Sequence, residues 1–530
     1  MSESTSERAT AVVIGSGFGG SIAARHLGEA GIQTVVLERG RRWPVTESQN
    51  TFCTYRQPDG RAAWLSDTTV AFEPKPIEKH VGLVQQLVED GITVWCPAAV
   101  GGGSLVYNTV LLQPTRENFE RVFPPSVDYD EMDQVFYPRV IEQLKAGQIP
   151  DDVLKTDHYL STRVFMEQGE KAGLTVKRVD LGSDWDVVRQ EIRGEKKPSA
   201  IAGEIWYGIN SGVKNSLDRT YLAEAEACDS VEVRPLHVVT AIAEGQGGKG
   251  FSLSYEVIDE AGVVQSSGAI ECQYLFMGAG SIGTSKLLVR AKGKGTLPQL
   301  NDQVGAGWGN NGDTFATRDA GCRTNPGEGG PATVAILHHD NPFSPQTMIV
   351  YPEWDAPEGT LTSLGMTIPD ERGEFTYDAA ADRVDLHWPG TGPGAQKLLD
   401  AANHTYALLD QARDQLGGEE TYAEFSGHMN CPINGFPEQA TTNAAKPVTQ
   451  ANGGITAHPC GGVVVGQACD DFGRVRGYSG LYVVDGALIP GSTAACNPAL
   501  TIAAMAERCM DRIIAEDLAP ATLATAEVAQ

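Results

Sequence analysis

The sequence has no C-x-x-C pair among its ten cysteines, no basic excess and no apolar run of membrane-spanning length. Each absence removes a class. Without closely spaced Cys and His ligands there is no frame for zinc, so no metal is expected. A formal charge of −27 leaves no basic patch for phosphates, which excludes nucleic acid and an anionic membrane surface as expected partners. No stretch reaches the roughly 18 uninterrupted apolar residues of a membrane span. The opening MSESTSERATAVVIG is polar until it runs into a glycine motif, without the charged, apolar and small-residue order of a secretory leader. A cytoplasmic location with reduced thiols is the expectation.

What is present is a long, ordinary globular composition. At 530 residues, 41% hydrophobic and 21% charged, the chain exceeds one domain and can bury a large core. Three stretches read as parallel α/β structure. The first is Thr10–Gly40: strand AVVIG, a glycine turn, helix SIAARHLGEAG and strand TVVLE. The second spans 231–290, with VEVRP and ECQYLFMGAG as strands and SIGTSKLLVRA as a helix. The third is C-terminal, with strand LYVVDG and helix ALTIAAMAERCMDRIIAE. Strand–helix units at both ends imply one discontinuous nucleotide domain with a second domain inserted between its pieces. GQGGKG near 246–250 reads as a hairpin turn, and the terminal APATLATAEVAQ as a solvated tail.

Gly15-Ser16-Gly17-Phe18-Gly19-Gly20 fits G-x-G-x-x-G between a strand and a helix. Gly15 permits the tight turn, Gly17 lets the backbone approach a pyrophosphate, and Gly20 lets helix pack on strand. The helix N-terminus offers free N–H groups to phosphate. Glu38 ends the next strand, where an acid accepts from ribose hydroxyls. This predicts a dinucleotide but leaves NAD and FAD open. Gly101-Gly102-Gly103 is a second loop suited to close approach by a planar ligand. Asp485-Gly486 follows a strand, and Asn497-Pro498 opens the last helix with an N-cap and an N1 residue. His458, in ITAHPCGGVVVG, is the candidate base, since histidine as a residue type is the usual proton acceptor at neutral pH. His26, His237, His387, His404 and His428 read as structural.

Together these residues resemble the glucose–methanol–choline (GMC) oxidoreductases, and within them the branch of bacterial FAD-containing cholesterol oxidases. Colinear stretches carry the likeness, among them GGGSLV, NSLDRTYL, LPQLNDQVGAGWGNNG, HPCGGVVVG, LYVVDGALIPGS and NPALTIAAMAER. The resemblance implies an α/β fold: a discontinuous Rossmann-type FAD-binding domain (1–44, 216–315, 456–530) with an inserted α+β substrate-binding domain (45–215, 316–455). It assigns Phe18, Gly19 and Glu38 to the adenine end, Val239 to the adenine-lining strand and Gly278 to a glycine turn. Gly103 and Asn108 fall beside the flavin, Asp485 and Gly486 on the ribityl and ring contacts. His458 and Asn497 match the catalytic pair.

The implied activity is oxidation of a small hydrophobic, alicyclic or steroid-like secondary alcohol to a ketone. Hydride goes to flavin N5, and O2 or another acceptor takes the electrons. Desaturation of a cyclic ketone, and a flavin-binding protein without redox turnover, are the alternatives. No histidine lies in GGGSLVYN, so non-covalent FAD is expected. Three features depart from the resemblance: no acid aligns with the isomerase glutamate (Glu358 is out of register), the lid region Trp64–Ala98 is short, and Tyr107-Asn108 replaces Asn-Gly beside the flavin.

Overall fold

A computed structural model describes residues 7–70, 74–354, 356–413 and 454–518. His428, Cys431 and the terminal APATLATAEVAQ lie outside the described residues. The chain runs β1 (Glu7–Ile14), α1 (Phe18–Glu29) and β2 (Thr34–Leu37) before entering the inserted region. There lie α2 (Leu160–Lys171) and β3 (Thr175–Arg178). It returns through β4 (Val231–Arg234), β5 (His237–Glu244), β6 (Phe251–Ile258), β7 (Val264–Met277) and α3 (Gly280–Gly293). A second excursion gives β8 (Thr314–Asp319), β9 (Val334–His338), β10 (Gln346–Tyr351), β11 (Thr360–Met366) and α4 (Pro393–Arg413). β12 (Leu481–Val483) and α5 (Pro498–Ile513) close the described fold.

The first sheet is seven-stranded in the order β4-β2-β1-β7-β6-β5, with β12 also on β7. β1, β2, β4, β7 and β12 pair in parallel, and the β5–β6–β7 meander is antiparallel. The parallel strands are apolar on both faces because helices cover both: Val12, Val13, Leu275 and Phe276 are wholly buried. Each such side chain contributes roughly 1.5–3 kcal/mol by leaving water. GQGGKG turns the β5–β6 hairpin, and the strands and helices read from all three stretches form.

The second sheet, β8-β11-β10-β9-β3, is antiparallel throughout. One face packs on α2 and α4 through Ala316, Leu361, Met348 and Val350. The other face joins a separate cluster with Trp95, Leu105, Trp206 and Cys496, bordering the nucleotide lobe. Two details bear on the expected boundaries. β8 begins at Thr314 and lies wholly in the second sheet, so a division at 315 cuts it. The hairpin Gly373–Asp378/Arg383–His387 packs Phe375, Val384 and Leu386 into the core of the nucleotide lobe. The nine described cysteines are all free. Among the described residues no helix is long and apolar enough to cross a membrane.

Candidate active site

The glycines of the first motif divide by what surrounds them. A Cβ on Gly20 would stand 1.9 Å from the Gly15 carbonyl oxygen, one on Gly19 2.0 Å from that of Val484, and one on Gly15 2.4 Å from that of Gly278. Gly278 in turn abuts Gly20, where a Cβ would lie 2.9 Å from Cα. These four allow backbone to meet backbone. Gly17 and Gly103 are different: the nearest atoms to a Cβ there are at 4.0 and 3.6 Å. Both open on a cradle that a side chain would fill. α1 begins at Phe18 with no side-chain cap, so its first N–H groups remain available to an anion.

Glu38 is buried at the end of β2. Its Oε2 accepts from the Ser16 N–H (2.9 Å) and hydroxyl (2.8 Å), and Oε1 from the Gly40 N–H (2.8 Å). A carboxylate has about four acceptor positions, so room remains for ribose hydroxyls. Val239 is half-buried on β5, two residues after His237, whose N–H bonds the Glu38 carbonyl at 2.9 Å.

The Gly101–Tyr107 loop turns through Gly101 (φ 95°) and Gly102 (φ 54°) into a 3-10 turn, Gly102–Leu105. Ser16 Oγ accepts from Gly101 N–H at 3.1 Å, tying this loop to the first motif. Tyr107 lies edge-on to Phe18, centroids 5.6 Å apart, and burial pushes its phenol pKa up. Tyr107 Oη, Asn108 Oδ1 and Asn497 Oδ1 are buried with no hydrogen-bond partner among the described residues. An unmet buried polar atom costs about 1–3 kcal/mol; Tyr107 Oη turns towards Gly182, where a Cβ would stand 2.9 Å from it, while the Asn108 and Asn497 oxygens call for a polar ligand. The open glycine cradle, the uncapped helix and these orphaned atoms fit FAD.

Asp485 is more anchor than ligand. Oδ2 accepts from the Gly280 N–H (2.8 Å) and Thr284 hydroxyl (2.5 Å), and Oδ1 from the Ala487 N–H (2.8 Å). Burial raises its pKa to about 6 against those hydrogen bonds. Gly486 accepts at its carbonyl from Gly461 N–H (2.8 Å), and a Cβ there would meet the Pro459 carbonyl at 3.3 Å. The Asp485–Gly486 turn therefore abuts the segment that carries His458.

Both members of the expected catalytic pair hang on one strut, Gly309–Asp313. Gly309 and Cys460 exchange backbone hydrogen bonds of 2.8 and 3.0 Å. Asp313 Oδ1 meets His458 Nδ1 at 2.8 Å, and its Oδ2 accepts from the Thr456 hydroxyl at 2.8 Å. That same hydroxyl oxygen accepts the His458 backbone N–H at 2.9 Å. On the other side, Asn311 Oδ1 accepts from Thr493 N–H (2.8 Å) and its Nδ2 donates to the Cys496 carbonyl (2.8 Å). Between them Ala494 and Ala495 both hold φ 62°. Asn497 takes the N-cap position and Pro498 follows as read from sequence, but the Asn497 side chain caps nothing. This corrects the capping reading: the amide is released from the helix.

Asp313, Thr456 and Asn311 escaped the sequence reading, although Asn310-Asn311-Gly312-Asp313 is a dense turn-forming cluster. Glu358 is bound elsewhere. Burial raises its pKa, but the backbone N–H groups of Thr324, Asn325 and Gly359 outweigh it and hold the carboxyl below the usual range. It precedes β11, at the end of the strand opposite Met366.

The chain resembles known proteins. A profile described as GMC oxidoreductase matches residues 369–506. A cholesterol oxidase of Acinetobacter baumannii is 25% identical over 577 aligned positions, covering 95% of this chain and 94% of its own. A cholesterol oxidase of Mycobacterium tuberculosis is 26% identical across 94% of this chain and 89% of its own. The solved pyridoxine 4-oxidase from Mesorbium loti superposes with a TM-score of 0.61 at 14% identity, covering 95% of this chain and 99% of that one. Domain match, sequence likeness and common fold together make this chain similar to the GMC oxidoreductases along nearly its whole length.

Proposed function

We propose that the chain oxidises a hydrophobic, alicyclic or steroid-like secondary alcohol to the ketone, with FAD held non-covalently and without a following isomerisation. The observation that carries this reading is the Asp313–His458 contact. An ionised carboxylate only accepts, so the proton sits on His458 Nδ1 and the lone pair on Nε2. Nε2 has no hydrogen-bond partner among the described residues, and the ring is only 14% exposed. Nε2 then takes the substrate hydroxyl proton, and the buried carboxylate stabilises the imidazolium that results. Asn497 binds the same oxygen through its amide and fixes the carbinol C–H direction. The uncapped N-terminus of α5 adds partial positive charge beside it. Gly17, Phe18, Glu38, Gly103 and Asn108 are the residues that would hold the cofactor. The chemistry supplied by bound FAD is acceptance of the carbinol hydride at flavin N5, the electrons then passing to O2 or another acceptor.

No histidine in the Gly101–Asn108 loop is available for a covalent link, and Glu358 is committed to backbone N–H groups rather than to proton transfer. The test is an anaerobic titration of the holoenzyme with steroid, terpenoid and simple alicyclic alcohols. Bleaching of the oxidised-flavin band with formation of the unconjugated ketone is expected. A flavin that no secondary alcohol bleaches would refute the reading.

A further inference from the structure

The face of the second sheet that joins the Trp95–Cys496 cluster carries two transverse rows of different chemistry. Register places Phe315 opposite Leu364, Leu364 opposite Ile349, and Ile349 opposite Ala335. That row is apolar and belongs to the cluster shared with Leu105 and Cys496. Two residues further along each strand, on the same face by the period of two, the next row is Thr317, Thr362 and Tyr351. Thr333, just before β9, continues it with the alternation that sets Ala335 on this face. Thr317, Thr362 and Thr333 are 0%, 2% and 0% exposed. None of their hydroxyls has a hydrogen-bond partner among the described residues.

An isolated buried hydroxyl is costly, and valine would fill the same volume without that penalty. Three at one level of one sheet face, beyond an apolar row, describe a ligand with a polar end. The side chains packed beside these rows are flat and stiff. Trp95, Trp206, Tyr351 and Phe315 form a closed ring of contacts with centroids 5.6, 5.7, 6.3 and 6.4 Å apart in turn. The length follows from the strand. Asp313, which holds His458, precedes Thr317 by four residues, about 13 Å at extended rise, leaving on the order of 10 Å between the reacting oxygen and the hydroxyl row.

We propose that this row is a second oxygen-binding subsite, recognising a hydroxyl or carbonyl at the far end of the substrate. The substrate class is then a rigid, flat, apolar skeleton with the oxidisable alcohol at one end and a second oxygen at the other. This narrows the alcohol-oxidising reading above and rests on it for the identity of the near end.

The test separates binding from turnover. Two steroid ketones, dihydrotestosterone and its analogue lacking the distal hydroxyl, are titrated into the oxidised holoenzyme and read by perturbation of the flavin absorbance. Wild type should bind dihydrotestosterone about tenfold more tightly, the worth of one or two net hydrogen bonds. The Thr317→Val/Thr362→Val double variant should bind the two ketones within about twofold of each other, with each single variant between, and Tm unchanged or raised. Equal affinities in wild type, an undiminished preference in the double variant, or no response to either ketone would overturn the subsite. A preserved ketone preference with no alcohol bleaching the flavin would remove the oxidation reading and keep the subsite. Alcohol turnover without the preference would do the reverse.

Discussion

Two of the described histidines touch a buried carboxylate at the same distance, and only one is in the candidate site. His458 meets Asp313 and His26 meets Glu507, each at 2.8 Å, with the rings 14% and 13% exposed and both carboxylates at 0%. Their surroundings differ. Glu507 also accepts from Arg139 at 3.0 Å, Arg25 stands at 3.9 Å, and the other His26 nitrogen lies 3.9 Å from Asp511. Those charges clamp α1 to α5, and His26 has both nitrogens facing carboxylates. Asp313 is met by a hydroxyl, and His458 keeps Nε2 for something else. Distance and burial do not distinguish a proton-transfer pair from a structural ion pair. The second nitrogen does.

The sharpest way to break this comparison is to delete each ring. His458→Ala should lower the rate of flavin reduction by substrate about 10²–10⁴-fold with little change in Tm. His26→Ala should lower Tm and leave that rate intact; stopped-flow bleaching and thermal melts read both. Glu507→Ala removes one partner of a buried ion cluster and should cost about 3–5 kcal/mol in denaturant unfolding, with folded molecules still reducing flavin normally. Acid probes the same group. Glu507 titrates at about 2 in the fold against an ordinary 4.5, because hydrogen bonds and charge from His26 and Arg139 outweigh the burial that raises it. Its contribution is therefore whole above pH 4.5 and fades as the pH falls towards 2, on the order of 3 kcal/mol. That acid limb should flatten in Glu507→Gln. The mildest change is Asp313→Asn, expected to slow flavin reduction less than loss of the ring does, by unsettling the Nδ1 proton. It should also move the pH profile of the rate, which a merely structural loss would not.

Legibility followed sequence distance. Gly15, Gly17 and Gly20 sit in one turn between one strand and one helix, so the motif is readable from neighbours alone. Asp313 acts on a histidine 145 positions away and on a threonine 143 away, and no local pattern carries that. Asn497 failed for a different reason. Its type and position specify a cap, and the decision to leave the helix uncapped is made by the turn before it, which Asn311 holds from another part of the chain. Asp485 lies on the turn after β12, as its position beyond the LYVV strand suggests, but both its oxygens serve the protein. The hydroxyl row was invisible because Thr317, Thr333 and Thr362 become neighbours only through antiparallel register.

The paired left-handed alanines ahead of Asn497 bear on rigidity. Glycine would occupy Ala494 and Ala495 without steric cost, whereas alanine in that region costs roughly 1–2 kcal/mol per residue. Glycine would also reach many more conformations. The two methyl groups thus trade folded-state energy for a smaller accessible volume, and the Asn497 amide is delivered by a turn with few alternatives. In a reaction that depends on the angle of one C–H bond, a stiff and slightly strained turn serves better than a relaxed and wandering one.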